Sequence, residues 1–188
     1  MTLPFKVTIC SLTELHQHSG AQVSHVLSIL DPEFPAPTEF AAYGAHEKLE
    51  LRFDDIIHER EKLRAPRIEH VEQLLDFGAG LKADAHLLVH CHMGISRSTA
   101  STALLVAQAA PSMEAAEIFS ALRQIRPQIW PNLRIIEMGD EKLGRGGSLV
   151  AALRDLYRTQ IELDASWVEL IRAEGRGREV DLAMGAGG

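Results

Sequence analysis

Residues 87–99 read Leu87-Leu88-Val89-His90-Cys91-His92-Met93-Gly94-Ile95-Ser96-Arg97-Ser98-Thr99. Leu87, Leu88 and Val89 make the short, continuous apolar run of a buried strand. The next residues form a loop, in which Gly94 permits a backbone angle that a β-carbon would resist. From Ser96 a stretch rich in Ala and Leu runs to Ala110 and meets Pro111, which reads as a buried helix. A buried strand that passes through a short loop into a helix is a building unit of parallel α/β folds.

The segments on either side fit that unit. Residues 5–10 are β-prone. Ser11 with Glu14 three positions on makes a capping box, and the helix it opens is expected to end near Ser19-Gly20. A second apolar run, 25–30, is stopped by Asp31-Pro32, and three prolines within 31–37 predict irregular chain. Residues 46–53 alternate as a strand that ends at Asp54-Asp55, and 56–63 form a helical turn or an ordered loop. Pro66 suits a helix start, with Ile68, Val71, Leu74 and Leu75 at helical spacing. Ser112 caps a further helix, whose apolar face is Ala115, Ile118, Phe119, Leu122 and Ile125; Arg126-Pro127 ends it. Residues 149–171 are helical in pattern. We find no repeat and no linker. The expectation is an α/β fold with a largely parallel central sheet flanked by helices. Residues 1–174 form a single domain and 175–188 a mobile Gly-rich tail. Ligands bind beyond the carboxyl ends of such strands.

A chain of 188 residues, 46% of them hydrophobic, can fill one core without disulfides or a structural metal. The net charge of -7 argues against a general nucleic-acid binder. Two cysteines, Cys10 and Cys91, are no disulfide framework and fit a reducing compartment. Residues 1–5 lack the basic region and apolar run of a signal peptide, and no stretch nears the roughly 18 apolar residues that span a bilayer. A cytoplasmic protein without membrane partners is the expectation.

Within the central loop, Cys91 stands at the start and Arg97 six residues later. A loop of this length can curl until the N–H groups of His92, Met93, Gly94, Ile95, Ser96 and Arg97 converge on one anion. The helix start adds unpaired N–H groups and a positive dipole end. Arg97 offers a planar fork that matches two phosphate oxygens. The same surroundings favour the thiolate of Cys91, and Ser98 can donate a hydrogen bond to its sulfur. His90 is expected to orient the loop by hydrogen bonding, and His86 to lie on the surface. His86, His90, Cys91 and His92 are close in sequence, but no second cluster completes a zinc spacing, so no metal site is predicted.

The segment Val89-His-Cys-His-Met-Gly-Ile-Ser-Arg-Ser98 resembles the signature of the protein tyrosine phosphatase superfamily, in the form Val-His-Cys-x-x-Gly-x-Ser-Arg-Ser typical of its compact dual-specificity branch. Arg126-Pro127-Gln-Ile-Trp130-Pro131-Asn132 is similar to the stretch that follows this signature, and Leu51-Arg52-Phe53-Asp54-Asp55 to the strand end that supplies the general acid. The likeness covers about residues 5–160. His92-Met93 replaces more usual small or polar residues, and the stretch between Asp55 and Cys91 is somewhat long.

The resemblance implies a dual-specificity-phosphatase-like fold and a phosphatase domain that needs no cofactor. Cys91 would be the nucleophile, Arg97 and the loop amides the phosphate holders, and Ser98 the donor to departing sulfur. Asp54 and Asp55 compete for the role of acid. The second fits the family pattern better, which leaves Asp54 to cap the following turn; Asp140 is an outside candidate. Asn132 would bond loop backbone and shape the site, and Trp130 would pack. The implied substrate is a phosphorylated protein or peptide, with phosphotyrosine first and phosphoserine or phosphothreonine beside it. A small-molecule or phosphoinositide phosphatase and a catalytically weak phosphate-binding scaffold are the alternatives.

Overall fold

A computed structural model describes residues 2–185. Four strands, β1 (Lys6–Cys10), β2 (His25–Leu30), β3 (Glu47–Arg52) and β4 (His86–His90), form one sheet in the order β1-β4-β2-β3. Every pairing is parallel: Lys6 stands opposite His86, His25 opposite Leu87, and His25 opposite Glu47 on its other side. The expected α/β class and parallel sheet are therefore present. β4 is central and all five of its residues are buried, which explains its unbroken apolar run.

The two faces of the sheet are covered unequally. Leu87 and Val89 point into the main core with Ile9, Leu27, Ile29 and Leu51. Helices α1 (Ile68–Ala79), α2 (Arg97–Ala109), α3 (Ala115–Ile125), α4 (Leu133–Lys142), α5 (Ser148–Leu163), α6 (Ser166–Ala173) and α7 (Gly177–Met184) build outward from this side. Leu88 points the other way, into a smaller cluster with Cys10, Leu15, Val23 and Val26. Two 3₁₀ helices, Leu12–His18 and Glu39–Ala42, supply that cover; the first is stapled by the Ser11 N–H, which donates to Glu14 Oε2 at 2.6 Å. α2 is the hub: every residue from Arg97 to Ala107 is buried.

Three expectations need correction. The helix expected across 149–171 is broken, because Asp164 turns the chain and accepts a hydrogen bond from the Ser166 N–H at 2.9 Å. The helix assigned to a Ser112 cap starts at Ala115, with Glu114 at its N-cap. The mobile tail assigned from residue 175 instead carries α7, with Val180 and Ala183 buried against the core and Glu179 fully buried beside Arg176. High glycine content hid the two apolar positions and the ion pair that dock it. Residues 186–188 of that segment lie outside the described residues. Among the described residues no helix is long and apolar enough to cross a membrane.

Candidate active site

The loop after β4 closes into a ring because its carbonyls are tied outward. His92 O accepts from the Leu12 N–H at 3.1 Å, Ile95 O from Trp130 N–H at 3.0 Å, and Ser96 O from Asn132 N–H at 3.4 Å. Met93 O accepts from Arg126 Nη2 at 2.9 Å, and Thr99 Oγ1 donates to Ile95 O at 2.5 Å. With the carbonyls outside, the N–H groups turn inward. Among the described residues, those of Met93 to Arg97 find no acceptor in the chain. Inward-facing amides at the start of α2 make a nest for an anion.

Gly94 makes this closure possible. Its φ is +68°, and a β-carbon there would stand 2.6 Å from the backbone C and O of Cys10. Gly94→Ala is expected to cost about 2 kcal/mol or more, from the left-handed backbone and the clash together. The loss should read as a lower Tm and a loss of phosphate affinity; an unchanged Tm would mean that the loop has room to spare.

Cys91 lies at the floor, 3% exposed, with Ser98 Oγ 3.2 Å from its Sγ. Arg97 is buried above it. Its Nη1 donates to Asp31 Oδ1 and to Phe53 O, each at 2.6 Å. That corner is anchored, while buried Nε has no partner among the described residues. The Nε–Nη2 edge, the fork that fits two oxygens of one anion, is thus the edge left for a ligand. Asp31 was read from sequence only as a strand stop. It also stands 3.5 Å from His92 Nε2 and lines the same cavity.

The two aspartates after β3 separate cleanly. Asp54 Oδ2 accepts from the Arg64 N–H at 2.6 Å, and its backbone N–H donates to Arg64 O at 2.7 Å. It ties the 54–64 loop shut rather than capping the next turn alone. Asp55 turns toward the loop after β4. Its Oδ1 accepts from Ser96 Oγ and Asn132 Nδ2, both at 2.8 Å, and its Oδ2 from Arg176 Nη1 at 3.1 Å. Burial works to raise its pKa, but Arg176, Arg97, Asn132 and Ser96 together hold it below the usual carboxylate value. Asn132 also donates to Ile56 O at 3.3 Å and caps α4 by accepting from the Ile135 N–H at 3.2 Å. It braces the loop that carries Asp55, while its own backbone N–H holds the loop after β4.

Other expected roles fall differently. His90 sits against Phe40; burial pushes its pKa down to about 4, with a hydrogen bond to the Cys91 backbone working the other way. It supports the loop as a neutral, packed ring, since β4 is buried on both faces. His86 is buried rather than on the surface: its Nε2 lies 2.9 Å from Thr8 Oγ1 and its Nδ1 2.9 Å from Ala21 O. Trp130 packs, stacked between Tyr157 and Trp167. Asp140, remote from the loop, takes the N–H groups of Gly147 and Leu149 at 2.6 and 2.7 Å. No group of three or more potential metal ligands gathers among the described residues.

Cys91, Arg97, Asp31 and Asp55 open on a cavity of about 480 Å³. Its far wall comes from α6 and the residues after it, with Trp167, Leu170, Ile171, Glu174 and Arg176. Sequence reasoning missed this wall.

A four-stranded parallel sheet in the order β1-β4-β2-β3 flanked by helices is the fold seen in dual-specificity phosphatases. Among solved structures, the chain is similar to human DUSP28 (TM-score 0.55, 19% identity, covering 74% of this chain and 92% of that one). It is similar also to Tk-PTP in its active form (TM-score 0.54, 20% identity, 74% and 92% covered). A third is PTPMT1 in complex with PI(5)P (TM-score 0.54, 18% identity, 74% and 91% covered). No family model and no curated protein sequence matches the chain.

Proposed function

We propose that the chain is a cysteine-dependent phosphomonoesterase that hydrolyses phosphotyrosine, and with it phosphoserine and phosphothreonine, in proteins or peptides. The observation that carries this reading is the free Nε edge of Arg97, set with inward amides around Cys91. The Cys91 thiolate attacks phosphorus in line, and an S–P bond forms as the O–P bond to the substrate breaks. The amides and Arg97 hold the equatorial oxygens. Asp55 gives its proton to the leaving oxygen. As carboxylate it then takes a proton from the water that attacks phosphorus, and the sulfur departs with the Ser98 hydroxyl donating to it.

A phosphoinositide reading has one point in its favour, the PI(5)P held by PTPMT1 on a similar fold. The loop of this chain favours it less. Besides Arg97 its outward side chains are His92, Met93 and Ile95, and burial lowers the pKa of His92, so the loop carries no second fixed cation. Phosphotyrosyl peptide and PI(5)P vesicles, compared by kcat/KM, separate the two; a higher value for PI(5)P would reverse the order. A scaffold would turn over neither, nor p-nitrophenyl phosphate.

The acid is tested by leaving group. A nitrophenolate leaves unaided, whereas a tyrosyl oxygen needs the proton. Asp55→Asn should cut phosphopeptide hydrolysis by about 10²-fold or more and activated aryl phosphates far less. Asp54→Asn should lower both modestly and alike. Because cations hold the Asp55 carboxyl low, phosphopeptide kcat/KM should decline as pH rises through the acid range, where the proton is lost. If the two variants exchange behaviours, the acid is Asp54.

A further inference from the structure

Arg176 stands just before α7 and is 4% exposed. Its Nε and Nη2 donate to Glu179 Oε2 and Oε1 at 2.9 and 2.8 Å. Its Nη1 donates to Asp55 Oδ2 at 3.1 Å and to Ser96 Oγ at 2.8 Å. With these bonds made, little of the guanidinium is left to hold a substrate. Glu179 is in turn fixed in the core: Trp130 Nε1 donates to it at 2.8 Å, Leu133 N–H at 2.9 Å and Tyr157 Oη at 3.2 Å. A rigid relay therefore runs from the helical core through Glu179 and Arg176 to two groups that face each other across the cleft. Ser96 belongs to the phosphate loop and Asp55 to the loop opposite, and Ser96 Oγ itself donates to Asp55 Oδ1.

We propose that Arg176 is a positioning residue for the reaction: it seats the Asp55 carboxyl against Ser96, which makes α7 a working part of the active site. The proposal rests on the phosphatase reading and on Asp55 as its acid. A long buried side chain anchored at both ends fixes a carboxyl more tightly than loop backbone can, and proton transfer depends on that placement.

Removing Arg176 has a consequence that packing alone does not. The charged and titratable groups around Asp55 include Arg176, Glu179 and Glu174 from the C-terminal segment, Arg97 and His92 from the loop after β4, Tyr157 from α5, neighbouring Asp54, and Arg60, which lines the same cavity. Burial drives the Tyr157 phenol up and the His92 ring down, so both are neutral near pH 7. Asp54 is occupied with the Arg64 N–H and Glu179 with Arg176. Arg60 donates to the backbone O of Glu174 and Gly175, so the cations that act on Asp55 are Arg176 and Arg97, and Arg97 keeps its Nε edge for the substrate. Without Arg176 the carboxyl keeps its proton to higher pH.

The experiment is the pH profile of kcat/KM for a phosphotyrosyl peptide and for p-nitrophenyl phosphate, in the full chain, with Arg176→Met and Arg176→Lys. In Arg176→Met the alkaline fall of the phosphopeptide profile should move up by about one pH unit. Its maximum should drop about tenfold or more while p-nitrophenyl phosphate changes little. Lysine restores the charge and should return the fall to its wild-type position. Equal losses on both substrates with an unmoved fall would overturn the proposal and leave the phosphatase reading intact. A wild-type chain inert to both substrates would instead sink that reading. If Arg176→Met does not fold because Glu179 is left buried alone, Arg176→Lys decides: a loss confined to the phosphopeptide supports positioning, and an equal loss on both substrates overturns it.

Discussion

Cys91→Ser should leave no measurable turnover, a loss on the order of 10⁴-fold or more in kcat, while the protein folds and still binds phosphopeptide. The side chain is nearly isosteric and 3% exposed, and the Ser98 hydroxyl at 3.2 Å can bond oxygen as readily as sulfur, so the ring should survive. What disappears is an ionisable nucleophile, since a serine hydroxyl next to amides and Arg97 stays protonated at neutral pH. Cys10 cannot stand in. It belongs to the small cluster behind the sheet, and burial, with Glu14 adding to it, pushes its thiol up to about 12. Cys10→Ser should keep activity within a few-fold of wild type. The comparison is made with p-nitrophenyl phosphate, which needs no acid, so that a residual rate cannot be blamed on Asp55. Turnover in Cys91→Ser above the uncatalysed rate would remove Cys91 from the mechanism.

The parts of this site that could be read in the sequence are those that close on themselves. Cys91, Gly94, Arg97 and Ser98 lie within one turn of loop and the first turn of α2, so their spacing alone defines a ring. Asp55 was legible only through likeness, because nothing local says where a strand-end carboxylate will point. Asp31 and Arg176 were not legible at all. Asp31 meets Arg97 across 66 residues, and Arg176 meets Asp55 across 121, so each pairing exists only once the sheet order and the helical layer are in place. The fold shows the same division. β2 and β4 are apolar runs with clear stops. α7 carries few apolar residues between glycines and charges, and it is held by a buried Arg–Glu pair that composition disguises as a solvated tail.

Arg97→Lys should lower kcat by about 10² to 10³-fold although the positive charge is kept. The reason lies in how Arg97 is held. Its Nη1 corner is spent on Asp31 Oδ1 and Phe53 O, which fixes the plane of the guanidinium and leaves Nε without a partner among the described residues. A lysine has a single ammonium for both tasks. Either it stays with Asp31 and Phe53 O, where it is well satisfied and out of reach, or it leaves them unpaired to meet the anion as a point charge. Both outcomes lose the two-oxygen grip that tightens as the phosphoryl group flattens in the transition state, so the defect should fall on kcat more than on KM. Asp31→Asn provides the complementary measurement. The amide keeps an acceptor for Nη1 but removes the anionic anchor, and it should weaken the reaction while leaving the bidentate edge in place, a smaller loss than that of Arg97→Lys. Near-normal kcat in Arg97→Lys would mean that the phosphoryl group is held by the amides alone and that the guanidinium serves only to tie the loop to Asp31.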